Sequence, residues 1–257
     1  MRLDVYMAQA GIADSRSRAR SLIDSGFVRV DGALVSKASF SVPEGAEITL
    51  SEHPKYVGRG ALKLEAALDA FDIDPRDKRC VDIGASTGGF TDCLLKRGAA
   101  YVCCVDSGKG QLRPSLRDDP RVRAVESFNA RNLDSTVTEG KVEIAVMDVS
   151  FISQTLLYDG VMRVLSDGGI FISLIKPQFE AGRENVGKGG IVRSRTVHLS
   201  VLSDTQKKAL AHGLSMQKLI CSPLRGGDGN TEYLALFKKG NESKRLDFEG
   251  TVPSSLT

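Results

Sequence analysis

Cysteine is sparse, five in 257 residues, and no two cysteines are spaced C-x-x-C. Cys80, Cys93, Cys103, Cys104 and Cys221 make an odd set without metal-ligand spacing. That argues against a disulfide framework and against a zinc site, and for a reducing, cytoplasmic setting. Long apolar runs are also missing. Ile170–Ile175 is typical of the longest, far short of the roughly 18–20 residues a membrane-spanning helix needs. No charged-then-apolar leader opens the chain, so neither export nor a membrane partner is expected. No sign of charge dominates, with 35 Lys+Arg against 32 Asp+Glu and a net +3. The resulting pI near 8.6 does not by itself mark a nucleic-acid binder. What is present is an ordinary globular balance, 41% hydrophobic and 26% charged residues. The length suits one large domain, or a mid-sized one with a small companion.

The chain divides by pattern. Residues 1–50 read as a small α+β unit. Ser15 is placed to cap a helix over 16–25, with Ala19, Leu22 and Ile23 at helical spacing and Gly26 as its stop. Phe27–Val30 alternates as a strand, Asp31-Gly32 is a hairpin turn, and Ala46–Leu50 is a second short strand. Residues 51–58 read as a linker, 59–245 as a larger domain and 246–257 as a loose polar tail. Within the larger domain, Arg79–Ile83, Tyr101–Val105, Val122–Val125, Val142–Met147 and Gly169–Ile175 are short apolar runs alternating with helical segments. This predicts a parallel sheet wrapped by helices. Met216–Ser222 and Glu232–Lys238 flank the Gly-rich stretch 223–230 and form a hairpin. An antiparallel last strand on a mostly parallel sheet marks the methyltransferase variant of the doubly wound, Rossmann-like α/β fold.

The stretch Val81-Asp-Ile-Gly84-Ala-Ser86-Thr-Gly88-Gly89-Phe90-Thr91 runs from a strand through a Gly-rich turn into a helix. Ligands of open α/β sheets bind beyond the carboxyl ends of the strands. The dinucleotide fingerprint G-x-G-x-x-G fails, because Ser86 stands where its second Gly belongs. Asp106 ends the next strand and suits a ribose diol. Together the two features favour an adenosine-bearing cofactor over a plain tight turn. Lys63, Asp148, Lys176 and Glu232 stand out by position. Asp148 and Lys176 follow apolar strands, Glu232 opens the final strand, and Lys63 lies on a helix beginning near Arg59. Each alone is an ordinary exposed charge. Two lysines and two carboxylates at one cleft tune each other's charge and serve to orient a weakly acidic hydroxyl and take its proton.

These blocks resemble the TlyA family of bacterial ribosomal-RNA 2′-O-methyltransferases, often labelled haemolysins, whose catalytic half is similar to the heat-shock RNA methyltransferase FtsJ. The resemblance covers about residues 1–240. It rests on Arg2-Leu-Asp4, Ser15-Arg16-Ser-Arg18-Ala-Arg20, Arg59-Gly-Ala-Leu-Lys63, Asp82–Thr91, Asp148-Val-Ser-Phe-Ile152, Lys176-Pro-Gln-Phe-Glu180, Gly187–Arg193 and Gly229-Asn-Thr-Glu232. It implies a catalytic tetrad of Lys63, Asp148, Lys176 and Glu232. It implies S-adenosylmethionine held by Asp82, Gly84, Ser86, Gly88, Gly89, Phe90, Asp106, Ser107, Asn129, Asp148 and Phe151. It implies that residues 1–50 are an RNA-binding domain of the small-subunit ribosomal protein type. Arg2, Arg16, Arg18, Arg20, Lys37, Arg59, Lys188 and Arg193 would then face ribosomal RNA or a ribosomal subunit. The chain departs from the family at Glu126-Ser-Phe-Asn129, where Glu-Arg-Thr-Asn is usual, and at Pro114, where an aromatic is usual.

The activity that the resemblance implies is methylation of a ribose 2′-hydroxyl of a cytidine in 23S RNA, which some members of the family extend to 16S RNA. Two other classes compete. An RNA-binding protein with a degenerate catalytic domain is opposed by the intact tetrad and favoured by the Ser127-Phe128 departure. A membrane-active haemolysin lacks a spanning segment or a strongly amphipathic basic helix. A nicotinamide enzyme is disfavoured by the glycine pattern.

Overall fold

A computed structural model describes residues 1–24, 26–51, 55–242 and 244–256. It separates into two compact units, one ending at Leu62 and one starting at Lys63. Of the segment read as a linker, 52–54 lie outside the described residues, as does the final residue of the tail.

The first unit holds helices α1 (Leu3–Gln9) and α2 (Arg16–Asp24) and strands β1 (Val28–Val30), β2 (Ala33–Leu34) and β3 (Ile48–Leu50). Ser15 Oγ accepts the Arg18 backbone N–H at 3.1 Å, so the expected cap is formed. Position 25, read as the helix end, is outside the described residues. Asp31 and Gly32 both take positive φ, +49° and +78°, which matches the twist of a two-residue hairpin joining β1 to β2. The second strand is shorter than 46–50, because only 48–50 reach β1. Leu3, Met7, Ala19, Ile23, Val28 and Val30 close a small core.

Asp4 is the polar pivot of this unit. It is buried, and it accepts Arg2 Nε at 2.9 Å and Arg16 Nη2 at 3.1 Å. The hydrogen bond from Arg2, with help from Arg16, outweighs burial and holds the carboxyl at about 2. A carboxyl lowered on folding adds stability that is full above the ordinary carboxylate range and lost as pH falls through about 4 toward 2. Asp4→Asn is therefore expected to lower the unit's melting midpoint by several degrees at pH 7, with the gap to wild type closing near pH 2–3. Hydrogen exchange of the α1 amides in the full chain checks it. A gap that is the same at pH 3 and pH 7 contradicts it.

The second unit begins within α3 (Gly60–Phe71). Then follow β4 (Arg79–Ile83), α4 (Gly89–Lys96), β5 (Tyr101–Val105), α5 (Pro114–Arg117), β6 (Val122–Val125) and β7 (Val142–Met147). After them come α6 (Tyr158–Val164), β8 (Leu165–Ile175), α7 (Pro177–Glu180), α8 (Arg195–Ala211), β9 (Leu214–Cys221), β10 (Tyr233–Lys239) and α9 (Phe248–Thr251). The sheet order is β6-β5-β4-β7-β8-β10-β9. The pairs from β6 to β8 are parallel, and β10 runs antiparallel to both β8 and β9. The chain leaves β4 in one direction through β5 and β6, then returns to its other side at β7. That reversal opens a crevice beyond the carboxyl ends of β4, β5 and β7, where ligands of this architecture sit.

Two expectations change. β8 starts at Leu165, not Gly169. Val142 pairs with Leu165 and Ile144 with Ile170, so 166–169 bulge out between two pairing points. The stretch 246–256 is not a loose tail. Asp247 Oδ1 caps α9 by accepting the Gly250 N–H at 2.8 Å, Val252 is buried, and Leu246, Phe248 and Leu256 pack on the core. Arg195 Nη1 pairs with Glu249 Oε2 at 2.5 Å.

Candidate active site

Beyond β4, β5 and β7 lies a cavity of about 780 Å³. It is lined by Gly84, Ser86, Asp106, Ser107, Asn129, Asp148 and Phe151 of the expected set, joined by Gln111, Ser127 and Phe128. Asp106 accepts the Ser86 N–H at 2.8 Å on one oxygen and the Gly108 N–H at 2.7 Å on the other. Each oxygen keeps a second lone pair, so the carboxylate is fixed and still able to accept. Gly84 has φ +84°, and a Cβ there would stand 2.6 Å from the Asp148 carbonyl oxygen. The β4 turn and the residue after β7 thus meet backbone to backbone.

Asp82, Gly88, Gly89 and Phe90 do not line the cavity. Gly89 and Phe90 open α4, and Phe90 is buried. Gly88, at φ +95°, faces α5 and its approach, where a Cβ would meet Leu116 Cδ1 at 2.3 Å and Leu112 Cδ1 at 2.8 Å. Its missing side chain makes room for packing, not for a ligand. Asp82 is fully buried and accepts both the Thr91 N–H (2.9 Å) and Thr91 Oγ1 (2.7 Å) on Oδ2, pinning the start of α4. Its Oδ1 has no hydrogen-bond partner.

Burial pushes the Asp82 carboxyl up to about 7, against the pull of Thr91. A carboxyl raised on folding keeps its proton longer in the folded state, so stability falls as pH rises from about 4 to 7. Asp82→Asn keeps the acceptor for Thr91 and removes this slope. Its melting temperature relative to wild type should climb by several degrees between pH 5 and pH 8. Parallel melting-temperature curves across that range would falsify the assignment of the slope to Asp82.

The four charged residues form two ion pairs. Lys63 Nζ lies 2.5 Å from Glu232 Oε2, both side chains at least nine-tenths buried. Lys176 Nζ lies 2.6 Å from Asp148 Oδ1 and donates to Ser150 Oγ at 2.8 Å. Tyr233 of β10 is paired with Ile175 of β8, and that register, continued by one residue, sets Glu232 across from Lys176. Both pairs therefore sit at the same end of adjacent strands. Only Asp148 also lines the cavity, so it links the charged cluster to the ligand crevice. Phe151, φ +62° and 92% exposed, carries its ring over Phe179 with centroids 5.1 Å apart.

The cations read as RNA-facing divide. Arg16, Arg18, Arg20 and Lys37 are exposed on the first unit, yet Arg2 and Arg16 are also committed to Asp4. Arg59 is half-buried, its Nη1 donating to the Ser36 carbonyl at 3.4 Å. Lys188 and Arg193 are exposed on the second unit, flanking a bridge between Gly187 and Ile191. Asn230 holds that loop by donating to the Gly190 carbonyl at 2.8 Å and accepting the Val192 N–H at 3.0 Å.

Sequence reasoning passed over Ser150, Gln111, Glu126, Glu180 and Asn230. Gln111 accepts Ser86 Oγ at 3.1 Å. Glu126 accepts the Gln111 N–H and Arg117 Nη2, both at 3.1 Å. Four of these, Ser150, Glu126, Glu180 and Asn230, stand inside quoted segments, and that adjacency was the available signal. At the Glu126–Asn129 departure, Ser127 takes φ +54° and donates its N–H to the Gly108 carbonyl at 2.8 Å. Pro114 opens α5, where its fixed φ is at home.

Residues 56–239 match the FtsJ-like methyltransferase family and residues 1–48 the S4 domain. The chain is 41% identical over 238 residues to "Hemolysin A" of Brachyspira hyodysenteriae, covering 92% of this chain and 99% of that protein. It is 40% identical over 251 residues to the "16S/23S rRNA (cytidine-2'-O)-methyltransferase TlyA" of Mycobacterium tuberculosis, covering 97% and 93%. It is 33% identical over 260 residues to the "23S rRNA (cytidine-2'-O)-methyltransferase TlyA" of Campylobacter jejuni, covering 93% and 100%. Among the described residues no helix is long and apolar enough to cross a membrane.

Proposed function

This chain belongs to the FtsJ-like methyltransferase family, with an S4 domain ahead of the methyltransferase domain, and we propose that it methylates a ribose 2′-hydroxyl of ribosomal RNA, at a cytidine. The observation that carries this reading is the pair of lysine–carboxylate contacts at one sheet end, with Asp148 shared between the cluster and the cavity.

The cavity fits S-adenosylmethionine. Its volume lies in the range of small-molecule sites. Gly84 is barred from carrying a side chain, and Asp106 offers free lone pairs to a ribose diol. Gly84, Ser86, Asp106, Ser107, Asn129 and Asp148 would hold the cofactor, with Asp82 acting through the start of α4. When bound, S-adenosylmethionine supplies an electrophilic methyl group on a sulfonium.

A ribose hydroxyl is a weak nucleophile at neutral pH, and attack requires near-attack placement at about 3–3.5 Å. Lys176 Nζ, held by Asp148 and Ser150, positions the hydroxyl and assists loss of its proton. Asp148 accepts the hydrogen bond or the proton and keeps Lys176 oriented. Lys63 and Glu232 fix the ribose and balance the cluster's charge. Arg18, Arg20, Lys37, Lys188 and Arg193 supply phosphate contacts, and Arg2, Arg16 and Arg59 add to them while bracing their own unit.

The test is direct. Purified protein is incubated with labelled S-adenosylmethionine and unmodified ribosomal subunits, and 2′-O-methyl positions are mapped. Label at one cytidine ribose is expected. Cofactor and RNA binding without any transfer favours the degenerate-enzyme reading.

A further inference from the structure

The residues after β7 and after β8 carry the two halves of the Lys176–Asp148 pair, and a second tie joins the same two segments. Glu180 ends α7, four residues after Lys176, one helical turn on. The turn is closed by Phe179 N–H to the Lys176 carbonyl and Ala181 N–H to the Pro177 carbonyl, both 2.9 Å. Glu180 Oε2 accepts Ser153 Oγ at 2.6 Å, and Oε1 accepts the Gln154 N–H at 2.8 Å. Gln154 Oε1 in turn accepts Ser173 Oγ of β8 at 2.5 Å. Asp148–Gln154 is thus moored at one end by Lys176 and at the other by Glu180. Between the moorings sits Phe151 with a positive φ, a conformation that an aromatic residue holds only when its surroundings impose it.

We propose that Glu180 is a positioning residue: its carboxylate clamps the Ser153–Gln154 end of this loop and so sets the distance and aim of the Lys176–Asp148 pair. Both of its oxygens act as acceptors, from one O–H and one N–H, so the clamp is the carboxylate form. Burial raises its affinity for a proton above the ordinary carboxylate value, and the two donors offset part of that rise. No contact with RNA or cofactor is required of it. Its effect on chemistry rests on the methyl-transfer reading, whereas its effect on Lys176 does not.

The experiment therefore has two readouts on the full chain. In the first, without cofactor or RNA, Lys176 competes for a limiting amine-acylating reagent, and its modification is read by peptide mass spectrometry. Glu180→Ala should raise Lys176 acylation about fivefold, the equivalent of loosening its partners by roughly 1 kcal/mol. In the second, kcat for methyl transfer should fall about 10–100-fold, with KM for RNA and affinity for S-adenosylmethionine within about twofold, as for misplacement of a reacting group. If Glu180→Ala does not fold, Ser153→Ala removes one bond from the loop side. That variant is expected to move both readouts in the same direction by about two- to threefold. Unchanged Lys176 acylation in whichever variant folds overturns the proposal. A wild-type chain that transfers no methyl to RNA overturns the functional reading instead, and the acylation comparison still decides the clamp.

Discussion

Lys176→Ala should lower the methylation rate by at least the factor of about 10²–10⁴ typical of a lost general acid–base group. Affinities for S-adenosylmethionine and RNA should stay near wild type, because Lys176 lies outside the cavity lining and its proposed work is in the transition state. The structure adds a consequence. Asp148 Oδ1 is buried, and its partner is Lys176 Nζ at 2.6 Å. Removing the lysine leaves that oxygen without its cation, so part of the loss comes from a carboxylate that reorients or takes a proton. Lys176→Arg should not restore activity. A guanidinium stays protonated, and its planar fork cannot reproduce one Nζ shared between Asp148 Oδ1 and Ser150 Oγ. Asp148→Asn should be as slow as Lys176→Ala but should also weaken cofactor binding, since Asp148 lines the cavity. Single-turnover rates with saturating cofactor and RNA separate these effects. Wild-type methylation by Lys176→Ala would show that the chemistry uses other residues.

The sheet was legible because its strands are short apolar runs bounded by turn residues. β4, β5, β6 and β7 occupy the stretches that the runs mark, the inner strands β4, β5 and β7 largely buried on both faces and the edge strand β6 only half-buried. The bulge at 166–169 was not legible, since it depends on where Leu165 finds Val142 across the sheet. The last segment misled by its average polarity, while Leu246, Phe248, Val252 and Leu256 are spaced to cover a core. At the site, strand-end position singled out Asp148 and Lys176, and their pairing follows from the parallel neighbours β7 and β8. Glu180 was quoted within its motif without a role, because its partners are 26 and 27 residues earlier in the chain and belong to another loop. Gly88 was noticed for an incomplete reason. The glycine run announces a crowded turn, but which glycine faces a ligand and which faces α5 is a matter of direction that spacing alone does not hold.

That distinction predicts opposite behaviour for two glycines four residues apart. Gly84→Ala places a Cβ 2.6 Å from the Asp148 carbonyl oxygen and 3.1 Å from Val149 Cγ1, at φ +84°. The backbone oxygen cannot swing aside as a side chain would, so the residue after β7 must move away from the turn after β4. Both belong to the cavity wall, and Asp148 carries the carboxylate proposed to act with Lys176. Affinity for S-adenosylmethionine should therefore fall by at least about 100-fold, near 2.7 kcal/mol, and methylation should fall with it. The unit should stay folded, since the left-handed conformation itself costs an alanine only roughly 1–2 kcal/mol. Gly88→Val behaves differently. Its Cβ drives into Leu112 and Leu116, so the damage begins in packing between α4 and α5. It should lower the melting temperature by several degrees, more than Gly84→Ala does, and any loss of cofactor should track that unfolding. Calorimetric titration with S-adenosylmethionine beside thermal melts of both variants resolves the two cases. Wild-type cofactor affinity in folded Gly84→Ala would remove the turn after β4 from the binding site.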